Sequence, residues 1–307
     1  MKNIAKKNEN AKQNILSGFL THCVSVPMTP AYKARKNLEK DMRAALAKRQ
    51  GFLLYFQPEI DVATMQIVGW EALLRWQHPE KGMLSPDVFI PIAEESGLIL
   101  PLGDLVVEQA LFQIHAWMSL VSYPMTMAVN VSMKQFENKS FVKSVMKKLT
   151  HWHVPPALLE LELTESLLMK NPKYTIDELQ KLSKIGVHIT IDDFGTGFSS
   201  FGSLIDLPIY KLKIDRSFIH RAPHSVKGMK VMEAMVKTGH LLGMKVVIEG
   251  AETAQDFKVL KDLDCDYSQG YYTGRPMDEA AATEFLEKNI AMRALFFQGQ
   301  LDLPFRS

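Results

Sequence analysis

Cysteine is scarce in this chain: 307 residues hold only Cys23 and Cys265, too few and too far apart for a disulfide framework or a cysteine metal cluster. Both read as free thiols in a reducing cytosol. Charge of one sign is not in excess either. The 36 basic and 34 acidic residues leave a formal net charge of +2, so no overall field would draw in a nucleic-acid polymer. Long apolar runs are missing as well. The stretch Ile15 to Met28 is broken by Ser17, His22 and Ser25 and falls short of the about 20 apolar residues that cross a membrane. Lys2, Lys6, Lys7 and Lys12 precede it, as in a secretory signal, but no small-x-small cleavage site follows. His22 stands where a lipoprotein signal would need a small residue before Cys23. The expectation is a cytoplasmic protein with no membrane span. No HExxH, GxSxG or Cys-His nucleophile pattern occurs, which removes the commonest zinc-hydrolase and covalent-hydrolase readings.

What is present is an ordinary globular composition, 47% hydrophobic and 23% charged. A chain of 307 residues accommodates one eight-stranded α/β barrel, which needs roughly 250, and a short extension. Residues 1–37 are basic without sustained periodicity and are expected to be a flexible extension. Helical spacing begins at Leu38 to Ala47. The barrel is assigned to 38–290 and a C-terminal tail to 291–307. Short apolar runs then alternate with helix-like stretches, the signature of a mostly parallel sheet flanked by helices. The predicted strands are Leu53 to Gln57, Ile67 to Leu73, Met125 to Val131, Leu159 to Leu163, His188 to Asp192, Tyr210 to Ile214, Lys245 to Glu249 and a weak one ending near Gln269. Between them lie helical stretches, among them Pro91 to Met118, Lys134 to His151, Thr175 to Ile185, Ser199 to Leu204, Lys227 to Leu242 and Thr253 to Leu263. The link from Asp61 to Gln66 is too short for a crossover helix, so the first two strands form an antiparallel hairpin. The fold class is therefore α/β, a TIM-like (β/α)8 barrel with one antiparallel strand near its start.

Strands buried on both faces should be apolar throughout, yet a polar residue sits at or near the end of each run. These are Gln57, Glu71, Asn130, Glu162, the pair Asp192 and Asp193, Lys213 with Asp215, Glu249, and Gln269. A single acid at a strand end is ordinarily a helix cap or a loop charge. Eight coincident ends argue for a shared rim, where barrel enzymes keep their chemistry. That rim would gather the carboxylates Glu71, Glu162, Asp192, Asp193, Asp215 and Glu249. Two such charges about 4 Å apart repel by roughly 4 kcal/mol at an effective dielectric of 20, so the cluster must hold cations or take up protons. Oxygen ligands without Cys or His point to Mg²⁺ or Mn²⁺, and a carboxylate-rich two-metal site suits phosphodiester hydrolysis. Leu212 and Ile214 fall on the opposite strand face from Lys213, which sends the lysine into the barrel. The segment DDFGTGFSS, Asp192 to Ser200, lacks the Lys-Ser/Thr ending of a P-loop.

At these residues the chain strongly resembles the EAL-domain family of cyclic di-GMP phosphodiesterases, over about residues 38 to 287. Seven motifs occur in order: GWEALLRWQHP around Glu71-Ala72-Leu73, NVS from Asn130, LELTES from Leu161, DDFGTGFSS, KLKIDRSF from Lys211, EGAET from Glu249 and QGYYTGRP from Gln269. The resemblance implies two ions, one bound by Glu71, Asn130, Glu162 and Asp192, the other by Asp192, Asp193 and Glu249. It implies that Lys213 holds the attacking water and offsets transition-state charge, and that Glu249 assists as base or ligand. Arg75 is implied to meet a substrate phosphate, and Gln57, Asp215 and Gln269 to contact guanine or ribose. Glu165 is implied to anchor the DDFGTGFSS loop. The cofactors implied are Mg²⁺ or Mn²⁺, with Ca²⁺ inhibitory. The partners expected are cyclic di-GMP and a second copy in a homodimer formed through the barrel. Phe198, Ile248 and Ala251 depart from the family's commoner residues. Two other readings compete: a non-catalytic cyclic di-GMP sensor, which should lack a metal ligand, and an enolase-like barrel using Lys213 as base, which the Asp192-Asp193 pair disfavours.

Overall fold

The computed structural model describes residues 29–165, 172–196, 204–221 and 225–297. By its contacts the chain divides into two compact units, Met1–Met42 and Arg43–Ser307, and the candidate site lies within the second. Helix α1 spans Pro30–Lys48. Proline suits the first helical position because its missing N–H would be unpaired there anyway, and Thr29 Oγ1 accepts from the Tyr32 N–H at 3.2 Å. The helix therefore starts ahead of residue 38, inside the stretch expected to be a flexible extension; residues 1–28 lie outside those described.

Strands β1 (Phe52–Asp61), β2 (Ile67–His78), β3 (Gly82–Leu84), β4 (Thr126–Asn130), β5 (Leu159–Thr164), β6 (His188–Phe194), β7 (Lys211–Ile214), β8 (Lys245–Glu249) and β9 (Tyr267–Gln269) form one sheet. Its order is β1-β9-β8-β7-β6-β5-β4-β2-β3, and the β1–β2 pairing closes eight of the strands into a barrel. The steps from β2 to β4 and on to β9 are parallel, whereas β1 is antiparallel to both neighbours. The hairpin predicted from the short link is present. Asp61 Oδ1 makes its turn by accepting from the backbone N–H groups of Ala63 at 3.1 Å and Thr64 at 2.7 Å.

The flanking helices are α2 (Pro86–Ser96), α3 (Ile99–Trp117), α4 (Met133–Phe136), α5 (Phe141–His151), α6 (Pro172–Ile185), α7 (Arg216–Arg221), α8 (Val226–Leu241), α9 (Ala254–Asp262) and α10 (Glu279–Phe297). They bury Leu159, Leu161, Leu163, Leu212 and Ile214 on the outer face of the barrel wall. Trp117 of α3 packs 5.0 Å from the Phe56 ring and 5.1 Å from that of Trp70.

Several boundaries differ from the sequence reading. Strand β2 runs on past Leu73 because its ladder with β1 continues beyond the rim as far as Phe52 opposite Trp76, and β1 runs on past Gln57 because the same ladder continues the other way, to Ile60 opposite Ile67, where β9 also pairs. Beyond the rim β2 is joined by β3, Phe52 stacks on Trp76, and Phe89 meets the Trp76 ring edge-on. The single helix expected from Pro91 to Met118 is two, broken at Gly97, whose φ of 76° ends α2 in the left-handed region. The helix expected from Lys134 to His151 is likewise split into α4 and α5. Helix α10 continues to Phe297, past the predicted tail boundary at 291. The predicted helix Ser199 to Leu204 lies almost wholly outside the described residues.

Candidate active site

Alternation in two buried strands builds the interior. In β5, LELELT, the leucines face the helices and Glu160 and Glu162 face inward; in β7, KLKI, Lys211 and Lys213 do the same. The inward residues stack as two charged layers. In the lower layer Lys211 Nζ lies 2.5 Å from Glu59 Oε2 and 2.7 Å from Glu160 Oε2. In the upper layer Lys213 Nζ lies 2.7 Å from Glu249 Oε1, 3.1 Å from Glu162 Oε1, and 3.4 Å from both Glu71 Oε2 and Asp192 Oδ1. The inward direction predicted for Lys213 holds. The lower layer was not anticipated, although the repeated Leu-Glu and Lys-Leu-Lys alternation is its signal.

Glu71 is the hub of the upper layer. It is mid-strand rather than near a strand end, because β2 climbs beyond the rim. Its Oε1 accepts from Asn130 Nδ2 at 2.6 Å and its Oε2 from Gln269 Nε2 at 2.6 Å. Gln269 Nε2 also approaches Gln57 Oε1 at 3.3 Å, and Gln57 Nε2 donates to the Gly274 carbonyl at 3.0 Å. Gln57 does not close its strand as the sequence suggested. It reaches the rim from the middle of the antiparallel β1, directly across from Glu71.

Consecutive side chains of a regular strand point to opposite faces, so Asp192 and Asp193 need a backbone irregularity to act together. The β6–β7 register shifts between Ile191 and Phe194, and Asp193 has a φ of 54°, a costly conformation for a residue other than glycine. The bulge brings ligand atoms of Asp192, Asp193 and Glu249 within 4.8 Å of one another. Glu165, buried just past β5, accepts from the Gly195 N–H at 3.3 Å. It thus touches the segment it was expected to anchor, whose residues 197–200, Phe198 among them, fall outside the described ones.

The carboxylates outnumber the cation, and their protonation reflects it. Burial pushes the Glu162 carboxyl well above its usual range, with neighbouring Glu71 adding to the effect and Lys213 opposing it. Burial pushes Glu249 up to about 7, against the pull of Lys213 and with Asp192 adding. Asp193 is raised by burial and by the adjacent Asp192. Glu71 is also penalised by burial, yet Lys213 and the hydrogen bonds from Gln269 and Asn130 hold it below the ordinary value. Burial works against the charge on Lys213, but Asp192, Glu162, Glu249 and Glu71 together keep its pKa well above that of a free lysine.

Divalent ions fit this donor set. Glu162 Oε2 is buried without a hydrogen-bond partner among the described residues, a costly arrangement for a carboxylate oxygen, and Asp192 Oδ1 makes no hydrogen bond there beyond its 3.4 Å approach to the Lys213 ammonium. The donors are all oxygen, which suits Mg²⁺ or Mn²⁺. Glu71, Asn130, Glu162 and Asp192 could serve one ion, and Asp192, Asp193 and Glu249 a second.

The remaining sequence candidates sit around this centre. Arg75 is on the part of β2 beyond the rim, half-buried, with its Nη1 donating to the Leu74 carbonyl at 2.9 Å and its guanidinium 5.5 Å from the Tyr55 ring centroid. Asp215 follows β7, and its Oδ1 accepts from the Ser217 N–H at 2.9 Å, capping α7. Two cavities open beside the centre. One of about 160 Å³ is lined by Gln57, Glu71, Glu249 and Gln269 together with Arg216, Glu252 and Tyr271. The other, about 290 Å³ and mainly apolar, is walled by Leu73, Leu74, Pro86 and Ile90 and reaches Asn130 and Glu162. Arg216, Glu252 and Tyr271 were not singled out from the sequence; each lies within a quoted motif, but nothing in local periodicity marks a loop residue as facing the rim.

The family model described as EAL domain matches residues 39–276. The chain is 40% identical over 237 residues to the bifunctional diguanylate cyclase/cyclic di-GMP phosphodiesterase MucR of Pseudomonas aeruginosa, covering 77% of this chain and 34% of that protein. It is 39% identical over 249 residues to the cyclic di-GMP phosphodiesterase NbdA of the same organism, covering 81% of this chain and 32% of that one. The chain thus spans about a third of the length of these curated relatives. Among solved structures it is similar to the PaMucR phosphodiesterase in complex with c-di-GMP, with a TM-score of 0.75 at 39% identity, covering 79% of this chain and 98% of that one. It is also similar to the EAL enzyme Bd1971 in its cAMP- and cyclic-di-GMP-bound form, with a TM-score of 0.79 at 29% identity, covering 90% and 76%.

Proposed function

The chain belongs to the EAL-domain family, and we propose that it hydrolyses cyclic di-GMP to linear pGpG with two Mg²⁺ or Mn²⁺ ions. The observation that carries this reading is the ring of oxygen donors around Lys213, in which, among the described residues, Glu162 Oε2 is buried without a hydrogen-bond partner and Asp192 Oδ1 makes no hydrogen bond beyond its 3.4 Å approach to the Lys213 ammonium. When bound, the ions would polarise the scissile phosphate and make the attacking water more acidic.

The protein's own groups supply the rest. Lys213, 1% exposed and held between four carboxylates, stays charged and offsets negative charge that develops on the phosphate oxygens. Glu249, whose carboxyl is pushed up to about 7 by burial and whose Oε1 faces Lys213, is suited to take the proton that the water loses at Oε2. Asn130 and Gln269 fix the orientation of Glu71 through their amide donors. Glu165 ties down Gly195 and with it the bulge that pairs Asp192 with Asp193. Arg75 is assigned to a substrate phosphate, and Gln57, Asp215 and Gln269 to guanine or ribose. The apolar cavity beside Asn130 has the size and lining to take one base.

Incubating the protein with cyclic di-GMP and Mg²⁺ or Mn²⁺, then separating products by chromatography, tests the reading directly. Linear pGpG is the expected product, and the loss of turnover in a Lys213→Met variant ties it to this centre. Replacing the metal with Ca²⁺ should inhibit, because its longer bonds and looser geometry misplace water and phosphate. Equal turnover with Ca²⁺ would refute the mechanism. The same reading places the chain in the cytoplasm and expects a homodimer formed through the barrel, which light scattering checks. Among the described residues no helix is long and apolar enough to cross a membrane.

A further inference from the structure

We infer that Gln135 is a positioning residue for Asn130, and that position 103 is glycine so that Gln135 can do this. The inference rests on the metal-dependent reading above, in which Asn130 is a ligand.

Asn130 ends β4 and is exposed, so packing does not hold it. Its Nδ2 is taken by Glu71, which leaves Oδ1 as the ligand atom. The direction of that atom then depends on where the chain goes after the strand. Val131 still pairs, its N–H donating to the Glu162 carbonyl at 2.9 Å. At Ser132 the chain turns into α4, and Gln135 fastens the turn. Gln135 Oε1 accepts from the Ser132 N–H at 3.1 Å and from its hydroxyl at 2.9 Å, while Ser132 Oγ accepts from the Gln135 N–H at 3.3 Å. This is a reciprocal capping box on a helix of only four residues. So short a helix has little stability of its own, which makes the box a device for fixing the path of residues 130–132.

A second observation points the same way. A glycine within a helix is disfavoured relative to alanine, yet Gly103 sits inside α3. A Cβ there would fall 1.7 Å from Gln135 Nε2 and 2.3 Å from its Cδ. The amide of Gln135 fills the space a side chain at 103 would need. Both residues also form the wall between two cavities, the one of about 290 Å³ that reaches Asn130 and one of about 300 Å³ between α3 and α5. Gln135 is therefore not wedged on all sides, and its orientation depends on the capping box and on the Gly103 surface.

The test compares the full chain with Gln135→Ala, Gln135→Glu, Gly103→Ala and the Gly103→Ala/Gln135→Ala double variant. Mn²⁺ binding is read from the free-ion electron paramagnetic resonance signal, beside the thermal midpoint. Groups that orient a metal ligand typically cost 10-fold or more in affinity when removed, so Gln135→Ala and Gly103→Ala should each weaken Mn²⁺ binding about tenfold. Gln135→Glu keeps an acceptor for both Ser132 donors and should stay within about twofold of the parent on the same basis. The double variant should bind no more weakly than Gln135→Ala, since no side chain remains for the new methyl to displace. A purely structural role would lower the midpoint in every variant and leave Mn²⁺ binding unchanged; that result, or equal losses in the Glu and Ala variants, overturns the inference. Should Gln135→Ala fail to fold, Ser132→Ala removes the hydroxyl partner alone and must weaken Mn²⁺ binding in the same direction. Parent protein that binds no Mn²⁺ would overturn the functional reading itself, an outcome distinct from a parent that binds and a variant that binds equally well.

Discussion

Lys213 is a cation placed where burial alone would strip its charge. Each carboxylate that is ionised contributes an attraction of about 4 kcal/mol at 4 Å and an effective dielectric of 20, and four carboxyl groups lie within 3.4 Å. Attraction wins, and the pKa of the ammonium is held well above that of a free lysine. Lys213→Met should therefore separate binding from chemistry. Removing a positive charge from a carboxylate ring leaves Mn²⁺ affinity unchanged or tighter, while loss of a preorganised charge at the phosphate lowers turnover about hundredfold or more. Equal loss of both in metal titration and product assays would refute that division. Glu165 acts one step further out. Its bond to the Gly195 N–H supports the bulge at Asp192 and Asp193, and a misplacement of about 1 Å can cost on the order of a hundredfold in rate. Glu165→Ala should lose turnover on that scale while its melting temperature stays near the parent's; near-normal turnover would end the loop-anchor role. Most of these residues were legible in the sequence because charge inside a buried strand violates the expected pattern. Gln135 and Gly103 were not, since an exposed-looking turn and a helical glycine become informative only when the fold brings them into contact.

At the scale of elements, the eight barrel strands were readable as apolar runs, and the antiparallel start followed from a link too short for a helix. The errors have a common physical cause. Where a strand or helix stops is decided by a neighbour or by one backbone angle, such as the β1–β2 ladder past the rim or the left-handed Gly97, and neither appears in hydrophobic spacing. Asp266 shows how a loop residue joins elements in this way. Its carboxylate contacts His240 of α8 at 2.7 Å, Lys245 of β8 at 2.6 Å and the Val246 N–H at 2.9 Å. Burial works against its charge, but Lys245, the Val246 N–H and His240 together hold its pKa below the ordinary aspartate value of 3.8. A lowered folded pKa gives stability that is present above the unfolded value and lost as pH falls through the folded one. Asp266→Asn should thus cost about 0.5–1 kcal/mol at pH 7, because solvent screens the partly exposed Lys245 and His240. Urea midpoints measured down a pH series should show parent and variant converging below the ordinary aspartate value. A gap that stays constant into strong acid would show that the charge on Asp266 does not matter.

For the whole molecule, the interior of the barrel is two charged layers on shared strands, and the upper one lines the cavities at the rim. The lower one ties the closure together. Lys211 of β7 bridges Glu59 on the antiparallel β1 and Glu160 on β5, and all three are nearly inaccessible. Thr190 of β6 donates to Glu160 at 3.0 Å. Burial opposes the charge of both Lys211 and Glu160, yet their attraction raises the lysine and lowers the glutamate. Burial holds Glu59 above its ordinary value against the pull of Lys211, and repulsion from Glu160 adds to it. Two acids facing one base in low dielectric make a layer that is tolerable only when complete. Breaking such a pair typically costs about 3–5 kcal/mol, whereas replacing all its members by apolar residues of similar volume is often neutral. Lys211→Met alone should therefore lower stability by about 3–5 kcal/mol, or roughly 2–4 °C of melting temperature for each kcal/mol. The triple variant Glu59→Leu, Glu160→Leu, Lys211→Met should recover most of that loss. Urea unfolding at constant m-value measures both. If the triple variant is less stable than Lys211→Met, the ion triad contributes net stability to the closed barrel and is more than a compensated burial.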